Sequence, residues 1–409
     1  MNINFRRWVF WLHLFFGILS GLTIAILCLT GAILSFEKEI LSLIERQDHI
    51  TLEKRKNRLS IDELVKLANQ YLEKEELRVI SITAYQDAEA VWKVQIGRRS
   101  FRSIDPFTGR VFHSSSDSTR EFFAKIRSWH RWLTSKRDYR SFGKSITGAS
   151  NLCFFGLAIT GLYLWLPRVW KWKNFLRAMQ IKVKLRGKAR DYNWHNALGF
   201  WAWIPIVIIS LTGVIFSYSW ARELLNQTIG PVPQRLPVSL KEIGAISLRG
   251  RPISFEKRFQ IAISWSENWN SINLPTPSKS ERGEVRGSKH GDQHQKNFGG
   301  RAGGQSQHGG GHGHQNRENE MFKPVSIYFK NQLFPLSPSR IVIHPRNGEI
   351  IGVDHSHKWS FIKKVRASIR GLHTGEALHL PGKIVYFLGC LASLIIIYTG
   401  FSLSWRRFL

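Results

Sequence analysis

Four histidines stand at matching positions in the two halves of the chain, and their side chains could bind metal. His13 and His195 are each followed by a glycine four residues later and by a Leu-Thr-Gly triplet whose glycine comes eighteen residues later. His130 and His373 each precede a Gly-Lys pair, and a Thr-Gly pair follows whose glycine comes eighteen residues after the first glycine. Imidazole nitrogens are common axial ligands of haem iron. Two such pairs at the ends of membrane helices therefore predict haem binding and electron transfer across a bilayer.

The residues around each histidine suit a b-type haem, which needs two axial nitrogens, apolar walls and small residues that admit the flat ring. Gly17 and Gly199 lie one helical turn from His13 and His195, where they can clear space for a porphyrin edge. No Cys-x-x-Cys-His motif is present, so we expect two b-type haems held by ligation and packing. Large aromatic residues accompany the histidines: Trp8, Trp11 and Phe15; Trp129 and Trp132; Trp194, Phe200 and Trp201.

Each of these features also has an ordinary explanation. A single histidine at a membrane interface is more often solvated or hydrogen-bonded, tryptophans anchor helix ends, and glycines allow helices to pack closely. The joint recurrence of two histidine pairs favours ligation, because ionisable residues inside membrane spans usually serve a function. The repeat pairs His13 with His195 and His130 with His373, although a differently folded bundle would exchange these partners.

Four apolar stretches are long enough to cross the roughly 30 Å core of a bilayer, which takes about 20 helical residues. All three cysteines, Cys28, Cys153 and Cys390, fall inside these stretches, so the segments outside the membrane have no disulfide to form. The stretches lie at 8–36, 144–166, 196–220 and 383–405.

The distribution of basic residues predicts the orientation of these spans. The segment 167–190 carries nine Lys and Arg residues and no acidic residue, which places it in the cytoplasm by the positive-inside rule. Four spans then put both termini in the cytoplasm and the two long segments in the periplasm of a bacterial inner membrane. The divisions are 1–36 (first span), 37–125 (first periplasmic domain), 126–166 (interfacial segment and second span), 167–194 (basic cytoplasmic loop), 195–220 (third span), 221–365 (second periplasmic domain) and 366–409 (interfacial segment and fourth span).

Each outer segment has the pattern of a small α+β domain. Residues 101–111 and 341–350 both read as two strands around a tight turn that contains proline and glycine. Ser60 and Glu63 form a capping-box pattern before a helix, and residues 91–96 alternate like a strand.

Since each half contains two spans, the halves share one orientation and form parallel repeats about an axis along the membrane normal. Equivalent histidines then lie at equal depth, with one pair at each face of the membrane.

One low-complexity segment interrupts the second outer domain. Residues 276–320 contain mainly glycine, serine, glutamine, histidine and charged residues, a composition typical of disorder. Its histidines could form a weak site for Zn²⁺, Ni²⁺ or Cu²⁺, or the segment is a neutral insertion. The five histidines are His290, His294, His308, His312 and His314.

The formal net charge of +30 would suit nucleic acid, but in a chain with four apolar spans topology and anionic lipid headgroups explain it better. We therefore expect membrane lipids, and no nucleic acid, as partners.

No Walker or dinucleotide-binding motif is present, so electrons should come from membrane quinol or from a separate cytoplasmic reductase. Six arginines at the two faces are candidates for contacts to haem propionates: Arg6, Arg7, Arg127, Arg131, Arg366 and Arg370.

With these features in place, the chain resembles the PepSY-associated transmembrane proteins over nearly its whole length, apart from the His-rich insertion. The ferrioxamine-type ferric siderophore reductases of this family are inner-membrane dihaem proteins that act in the periplasm. The resemblance implies haem ligation at the four histidines, PepSY-like outer domains and a role in iron uptake. His344 departs from the family pattern, since the matching turn has an aspartate there. The matching motifs are Trp11-Leu12-His13, Asp105-Pro106-Phe107-Thr108-Gly109, Trp129-His130-Arg131-Trp132-Leu133, Trp194-His195-Asn196, Leu372-His373-Thr374-Gly375 and the two Leu-Thr-Gly triplets.

With this resemblance, we expect a haem-dependent ferric-chelate oxidoreductase. Electrons would enter at the His13/His195 pair and reach a ferric siderophore beyond the His130/His373 pair. Two other classes of function stay open. One is a non-catalytic membrane module, expected to be colourless, whose outer domains bind or inhibit a protease or another partner. The other is a periplasmic metal-binding protein that uses the His-rich segment and would lose its function on deletion of residues 285–316.

Overall fold

The computed structural model describes residues 3–45, 58–87, 90–97, 100–134, 136–167, 171–231, 252–266, 268–276, 324–329 and 338–408. The strands are β1 (Ser81–Tyr85), β2 (Trp92–Gln95), β3 (Phe101–Ile104), β4 (Val111–Phe112), β5 (Trp269–Pro275), β6 (Val325–Phe329), β7 (Ser339–Ile343) and β8 (Ile350–Asp354). The α-helices are α1 (Ile3–Leu34), α2 (Glu37–Glu45), α3 (Ile61–Glu73), α4 (Asp117–Trp132), α5 (Arg140–Trp165), α6 (Trp172–Met179), α7 (Gly187–Trp201), α8 (Trp203–Ser217), α9 (Ser219–Ile229), α10 (Phe255–Trp265), α11 (Phe361–Ala367), α12 (Ile369–Thr374) and α13 (His379–Phe408).

Three helices in the described part of the chain, α1, α5 and α13, are long and apolar enough to cross a membrane. The bent pair α7 and α8 makes a fourth candidate if the two count as one span. α1 contacts both α5 and α13, while α7 packs against α13 and α8 against α5. Ile24, Cys28 and Cys390 belong to the apolar cluster between these helices. The protein is therefore of the membrane helical type, as the sequence predicts.

The third span, predicted over 195–220, is not one straight helix. α7 and α8 meet at an angle of 66°. Pro205 has no N–H to donate to the carbonyl of Trp201, and its ring would clash with that carbonyl in a continuous helix. The bend brings Pro205 against Gly389 of α13, where an added Cβ would lie 3.2 Å from the proline ring. The segment 167–194, predicted as a loop, contains α6 and the first turns of α7.

The two outer segments share one antiparallel sheet. Its strand order is β4-β3-β2-β1-β5-β6-β7-β8, so β1 of the first segment pairs with β5 of the second. The pairing runs from Ser81 opposite Pro275 to Tyr85 opposite Ser271. Without this pairing, both strands would present a row of unsatisfied backbone groups. The two α+β units predicted from the sequence are thus joined and not separate.

α3 and α10 cover one face of this sheet and enclose a hydrophobic core. Ile82 and Ile272 on the two central strands are fully buried, as are Leu64 on α3 and Ala262 on α10. The capping box predicted at the start of α3 is confirmed, since the Ser60 side chain accepts from the N–H of Glu63 and the Glu63 carboxylate accepts from the Ser60 N–H.

The N-termini of α3 and α10 cap each other. Asp62 on α3 accepts from the backbone N–H groups of Phe255 and Glu256 at 3.0 and 2.9 Å. In return, Glu256 on α10 accepts from the N–H of Ile61 at 3.0 Å and from the guanidinium of Arg58. Burial alone would raise the pKa of the Glu256 carboxyl, but these hydrogen bonds hold it below its ordinary value. Carboxylates at both helix starts therefore join the two outer segments a second time.

In the tight turns of the two segments, different side chains accept hydrogen bonds from the backbone N–H groups of the turn. Asp105 accepts from the N–H of Phe107 at 2.8 Å. His344 stands at the matching place, and its Nδ1 accepts from the N–H groups of Arg346 and Asn347 at 3.3 and 3.2 Å. The glycine of each turn has a positive φ, 72° and 82°, which glycine adopts readily. The departure from the family pattern at His344 thus preserves the hydrogen-bond acceptor.

The other face of the sheet is connected to the membrane helices by charged side chains. Lys93 of β2 donates to Glu45 at the end of α2 at 2.6 Å. Glu45 also accepts from the hydroxyl of Ser116, the residue before α4, and contacts Arg120 within α4. The sheet is therefore tied to the helix that carries His130.

Candidate functional site

His13 on α1 and His195 on α7 face each other inside the helical bundle. Their ring centres are 6.5 Å apart, and the ring planes are 85° from parallel. Both rings are partly buried. We call this the inner pair, because the sequence predicts it near the cytoplasmic face. The structure brings together the two histidines that the repeat pairs.

His130 on α4 and His373 on α12 form the second pair, which we call the outer pair. Their ring centres are 6.2 Å apart with planes 62° from parallel. The ring of Phe216 packs edge-on against His373 at 5.3 Å. Thr30, which bonds His130, lies seventeen residues after His13 on α1, a distance of about 25 Å along the helix. The two pairs therefore lie at opposite ends of the bundle.

A threonine hydroxyl oxygen lies within hydrogen-bond distance of Nδ1 in each of the four imidazoles. All four threonines belong to the Thr-Gly pairs that mark the sequence repeat, and in each case the threonine comes from a neighbouring helix of the same half. The sequence identifies these residues as repeat markers, but it does not reveal their contact with the histidines. The distances are 2.8 Å for His13 and Thr160, 2.9 Å for His130 and Thr30, 3.2 Å for His195 and Thr399, and 2.9 Å for His373 and Thr212.

The other hydrogen bonds of these threonines indicate which imidazole nitrogen carries the proton. Each threonine donates its single hydroxyl hydrogen to the backbone oxygen four residues earlier in its own helix. The threonine oxygen must then accept from Nδ1, which leaves the lone pair on Nε2. For His195 and His373 the backbone oxygens of Ile396 and Ile209, at 3.0 and 3.1 Å, accept from Nδ1 as well. A histidine held in this way presents Nε2 as a metal ligand.

The spacing within each pair also fits a shared iron. A metal–imidazole bond is about 2 Å long and the ring centre lies about 1.1 Å beyond the bonded nitrogen, so two imidazoles on opposite sides of one iron have centres about 6 Å apart. The observed separations are 6.5 and 6.2 Å. Ordinary aromatic pairs span about 4.5–7 Å, so the threonine contact at Nδ1 of all four rings is what distinguishes a ligand pair from simple packing. On both criteria the residues present fit a bis-histidine haem.

The glycines one turn from the inner histidines border open space. A Cβ added to Gly199 would meet no atom of the described residues within 4 Å, and one added to Gly17 would meet Leu157 at 3.9 Å. This agrees with the prediction that the two glycines leave room beside the imidazoles. Space at these positions is what a planar ring needs.

A second set of glycines, from the Thr-Gly pairs, lies directly against the imidazoles. A Cβ on Gly161 would lie 3.3 Å from Cε1 of His13, and one on Gly400 would lie 3.3 Å from Cε1 of His195. The two Thr-Gly pairs beside the inner histidines therefore combine a hydrogen-bond acceptor with a close approach to the ring. The sequence did not predict this role, although the recurrence of the Thr-Gly pairs in both halves indicated that these residues matter.

Among the described residues, four of the six arginines predicted to contact propionates have protein partners. These contacts use part of each guanidinium, and contacts to propionates stay predictions. The partners are the backbone oxygens of Leu164 and Leu166 for Arg6, Glu37 for Arg127, the ring of Trp132 for Arg131, and Asn226 with the backbone oxygen of Gly230 for Arg366.

Within the described ranges, no group of three or more His, Cys, Asp or Glu side chains could hold a metal ion. The insertion predicted over 276–320 lies outside those ranges except for its first residue. That residue, Thr276, is buried at the end of β5 and donates its hydroxyl to the backbone oxygen of Val79 at 2.5 Å. The candidate chelating histidines, His290, His294, His308, His312 and His314, lie outside the described residues.

A family model described as the PepSY-associated TM region matches residues 10–407. The matched range includes both histidine pairs, the four Thr-Gly pairs and every strand of the sheet. No curated protein matches the chain.

Proposed function

Since the chain belongs to the family with a PepSY-associated transmembrane region, we propose that it is a dihaem b-type reductase of the bacterial inner membrane. It carries electrons across the membrane and reduces ferric siderophores to the ferrous state in the periplasm for iron uptake. In this proposal His13 and His195 hold one haem, and His130 and His373 hold the other.

One observation carries the proposal: both histidine pairs have the ring spacing of a shared iron together with Nδ1 bound to a threonine. Two imidazoles that merely pack together have no need for the same acceptor on all four rings. The four hydrogen-bond partners also share a sequence position, because each bonded threonine directly precedes the glycine of a Thr-Gly pair. Hydrogen bonds to the far nitrogen of a ligating histidine fix its tautomer and orientation, which is their general role at metal sites.

The chain's own residues would do three things for such a cofactor. The threonines hold each imidazole in one orientation, so that little reorganisation accompanies a change in charge. The apolar residues between the pairs, among them Ile24 and Cys28, exclude water from the bundle. The basic segment between α5 and α7 keeps the inner pair on the cytoplasmic side under the positive-inside rule. A bis-histidine haem supplies one-electron transfer without transfer of atoms.

The substrate side of the proposal rests on the position of the sheet. The outer pair lies on α4 and α12, and Glu45 ties α4 to the polar face of the sheet. With the termini in the cytoplasm, that sheet would lie in the periplasm next to the outer pair. Iron(III) is the substrate there. Hard hydroxamate or catecholate oxygens hold iron(II) far less tightly, so the gain of one electron releases the metal.

The test is stoichiometric reduction of a ferric chelate. The purified chain is reduced, excess reductant is removed, and a ferric trihydroxamate is added without oxygen while iron(II) is trapped by a colorimetric chelator. We expect about two iron(II) per chain from wild type and a large loss of rate in His373→Ala. His113→Ala changes a histidine whose side chain is 60% exposed and serves as the matched control.

The outcomes separate the alternative functions. A reduced protein that gives no iron(II) would show another electron acceptor. A protein that cannot be reduced at all would favour the non-catalytic membrane module. Full reductase activity after deletion of residues 285–316 would exclude metal capture by the His-rich segment as the core activity.

A further inference from the structure

The first three residues of α2 each form an ion pair with an element that carries an outer histidine or lies directly after it in the chain. Successive side chains on a helix point about 100° apart, so three neighbours can reach three different elements. We call these three residues, Glu37, Lys38 and Glu39, the clamp. The pairs are Glu37 with Arg127 of α4, Lys38 with Glu376 at 2.7 Å, and Glu39 with Lys383 of α13 at 2.7 Å.

Two partners of the clamp lie close to the outer histidines in the sequence. Arg127 comes three residues before His130 on α4, a spacing that places both side chains on neighbouring positions of one helix face. Glu376 comes three residues after His373, in the short 3-10 helix that follows α12. The clamp therefore holds both elements that present the outer imidazoles, one from each half of the chain.

The third partner, Lys383, is connected to His373 through a close backbone contact. The residue before it, Gly382, lies so near the backbone of Gly375 that an added Cβ would overlap the Gly375 carbonyl oxygen. Gly375 comes two residues after His373 and caps the end of α12 with a φ of 75°. An ion pair that fixes Lys383 therefore also fixes the end of α12.

The ion pair of Lys383 distinguishes it from the equivalent lysine of the first half. Its side chain is only 6% exposed, and lysine is rarely buried unless it is paired. Lys144, which occupies the same place in the other Gly-Lys pair, is exposed and forms no ion pair with any residue that the structure describes. The clamp therefore departs from the repeat, and only one of the two matching lysines takes part in it.

The helix that carries the clamp is itself held at both ends. α2 begins two residues after the end of α1, where Thr30 contacts Nδ1 of His130. At the other end of α2, Glu45 forms ion pairs with Lys93 of the sheet and Arg120 of α4. A single exposed ion pair contributes little to stability. These contacts instead make α2 a fixed reference against which the clamp can hold α4 and α12.

We propose that the clamp positions the outer histidine pair, so that its two imidazoles keep the separation and the angle at which they ligate one iron. Their centres are 6.2 Å apart and their planes are 62° from parallel. This inference rests on the proposed function and assigns positioning residues to the outer site. Groups that orient ligating histidines tune the affinity and the electronic properties of a metal site. Because the inner pair lies at the other end of the bundle, loss of the clamp should change the outer site alone.

The first test compares haem binding at the two sites. Glu37→Gln, Lys38→Met and Glu39→Gln are combined, and haem is titrated into the haem-free chain while Soret absorbance is followed. In a His13→Ala background, which leaves the outer site, we expect roughly tenfold weaker binding from this triple variant. In a His130→Ala background, which leaves the inner site, the affinity should stay unchanged. That second result also shows that the triple variant folds.

Lys383→Met and Lys144→Met form a matched pair of variants. Methionine suits a buried site, and Glu39, which is 39% exposed, stays solvated without its partner, so Lys383→Met should fold. We expect Lys383→Met to shift the electron paramagnetic resonance signal of the outer ferric haem, because that signal depends on the angle between the imidazole planes. Lys144→Met should give the wild-type signal. Glu39→Lys combined with Lys383→Glu reverses the ion pair and should restore the wild-type signal.

Two results would overturn the assignment. One is an outer site that keeps its wild-type affinity and resonance signal after the three charges of the clamp are removed. The other is an equal loss of affinity at the inner and outer sites, which would show that the clamp only stabilises the fold.

Hydrogen exchange of the haem-free chain separates this inference from the proposed function. We expect faster backbone exchange at residues 127–132 and 369–378 in the triple variant, with exchange in α7 unchanged. Unchanged exchange at both segments would refute the clamp. A wild-type chain that binds no haem would refute the dihaem proposal, and the exchange result would then decide by itself whether the clamp fixes the outer pair.

Discussion

Replacement of Thr160 by valine should weaken haem binding at the inner pair more than replacement of Thr399 does. Each substitution keeps the side-chain shape and removes the oxygen that accepts from Nδ1, at 2.8 Å for His13 and 3.2 Å for His195. His195 would keep a second acceptor, the backbone oxygen of Ile396 at 3.0 Å. No second acceptor for His13 is present among the residues described. The two variants should therefore differ, although the sequence repeat makes them equivalent.

The magnitude follows from the lost hydrogen bond. A buried N–H without an acceptor costs about 1–3 kcal/mol. Loss of the partner of a metal-bound histidine typically lowers affinity about 10–100-fold, which corresponds to about 1.4–2.8 kcal/mol. The two ranges agree for Thr160→Val. For Thr399→Val the retained carbonyl should limit the loss to about threefold, because the Nδ1 proton stays bonded.

The assay is titration of haem into haem-free protein, followed by Soret absorbance. Variants that lack His130 as a ligand isolate the inner site. Thr160→Ser keeps the hydroxyl and should restore most of the affinity. Equal losses in the two valine variants, or a larger loss for Thr399→Val, would refute the assignment of Nδ1 as the bonded nitrogen and Nε2 as the ligand.

Three further outcomes are expected. Gly161→Ala should lower haem occupancy at the inner pair, because the added Cβ would lie 3.3 Å from the ring of His13. Gly156→Ala is the control and should leave the occupancy unchanged, since its Cβ would meet no described atom within 4 Å. The number of haems per chain is measured for both variants. The Glu256 carboxylate has a lowered pKa, so it stabilises the sheet domain above the ordinary value of about 4.3 and this stability is lost as pH falls through the lowered pKa. Thermal unfolding should therefore show a steeper acid loss in wild type than in Glu256→Gln, and parallel profiles would contradict this. His344→Asp should leave the midpoint nearly unchanged and His344→Ala should lower the stability by about 1–2 kcal/mol, since only alanine removes the turn acceptor; equal stabilities would argue against that role.

Local pattern predicted the elements that hold the site. Hydropathy located the long helices, and the Ser60 capping box marked the start of α3. The repeat also predicted which histidines would meet, since equivalent residues of parallel repeats lie at equal depth. These features depend on short-range propensity or on the comparison of two similar segments within one chain.

Contacts between distant segments were harder to predict. Ser81 and Pro275 are partners in the sheet although almost two hundred residues separate them, and no local pattern specifies which edge strand meets which. The bend before Pro205 has a local cause, yet the surrounding apolar run reads as one continuous span. The threonine acceptors are visible in the sequence only as repeat markers, because a hydroxyl in a membrane helix usually bonds its own backbone.

The central claim is that the chain holds one b-type haem between each histidine pair. The most direct test is the reduced-minus-oxidised absorption spectrum of the purified full chain, combined with a pyridine haemochrome count. The account predicts two b-type haems per chain in wild type and in His113→Ala, and one in His13→Ala and in His373→Ala. A colourless protein from cells supplied with ample haem would contradict it.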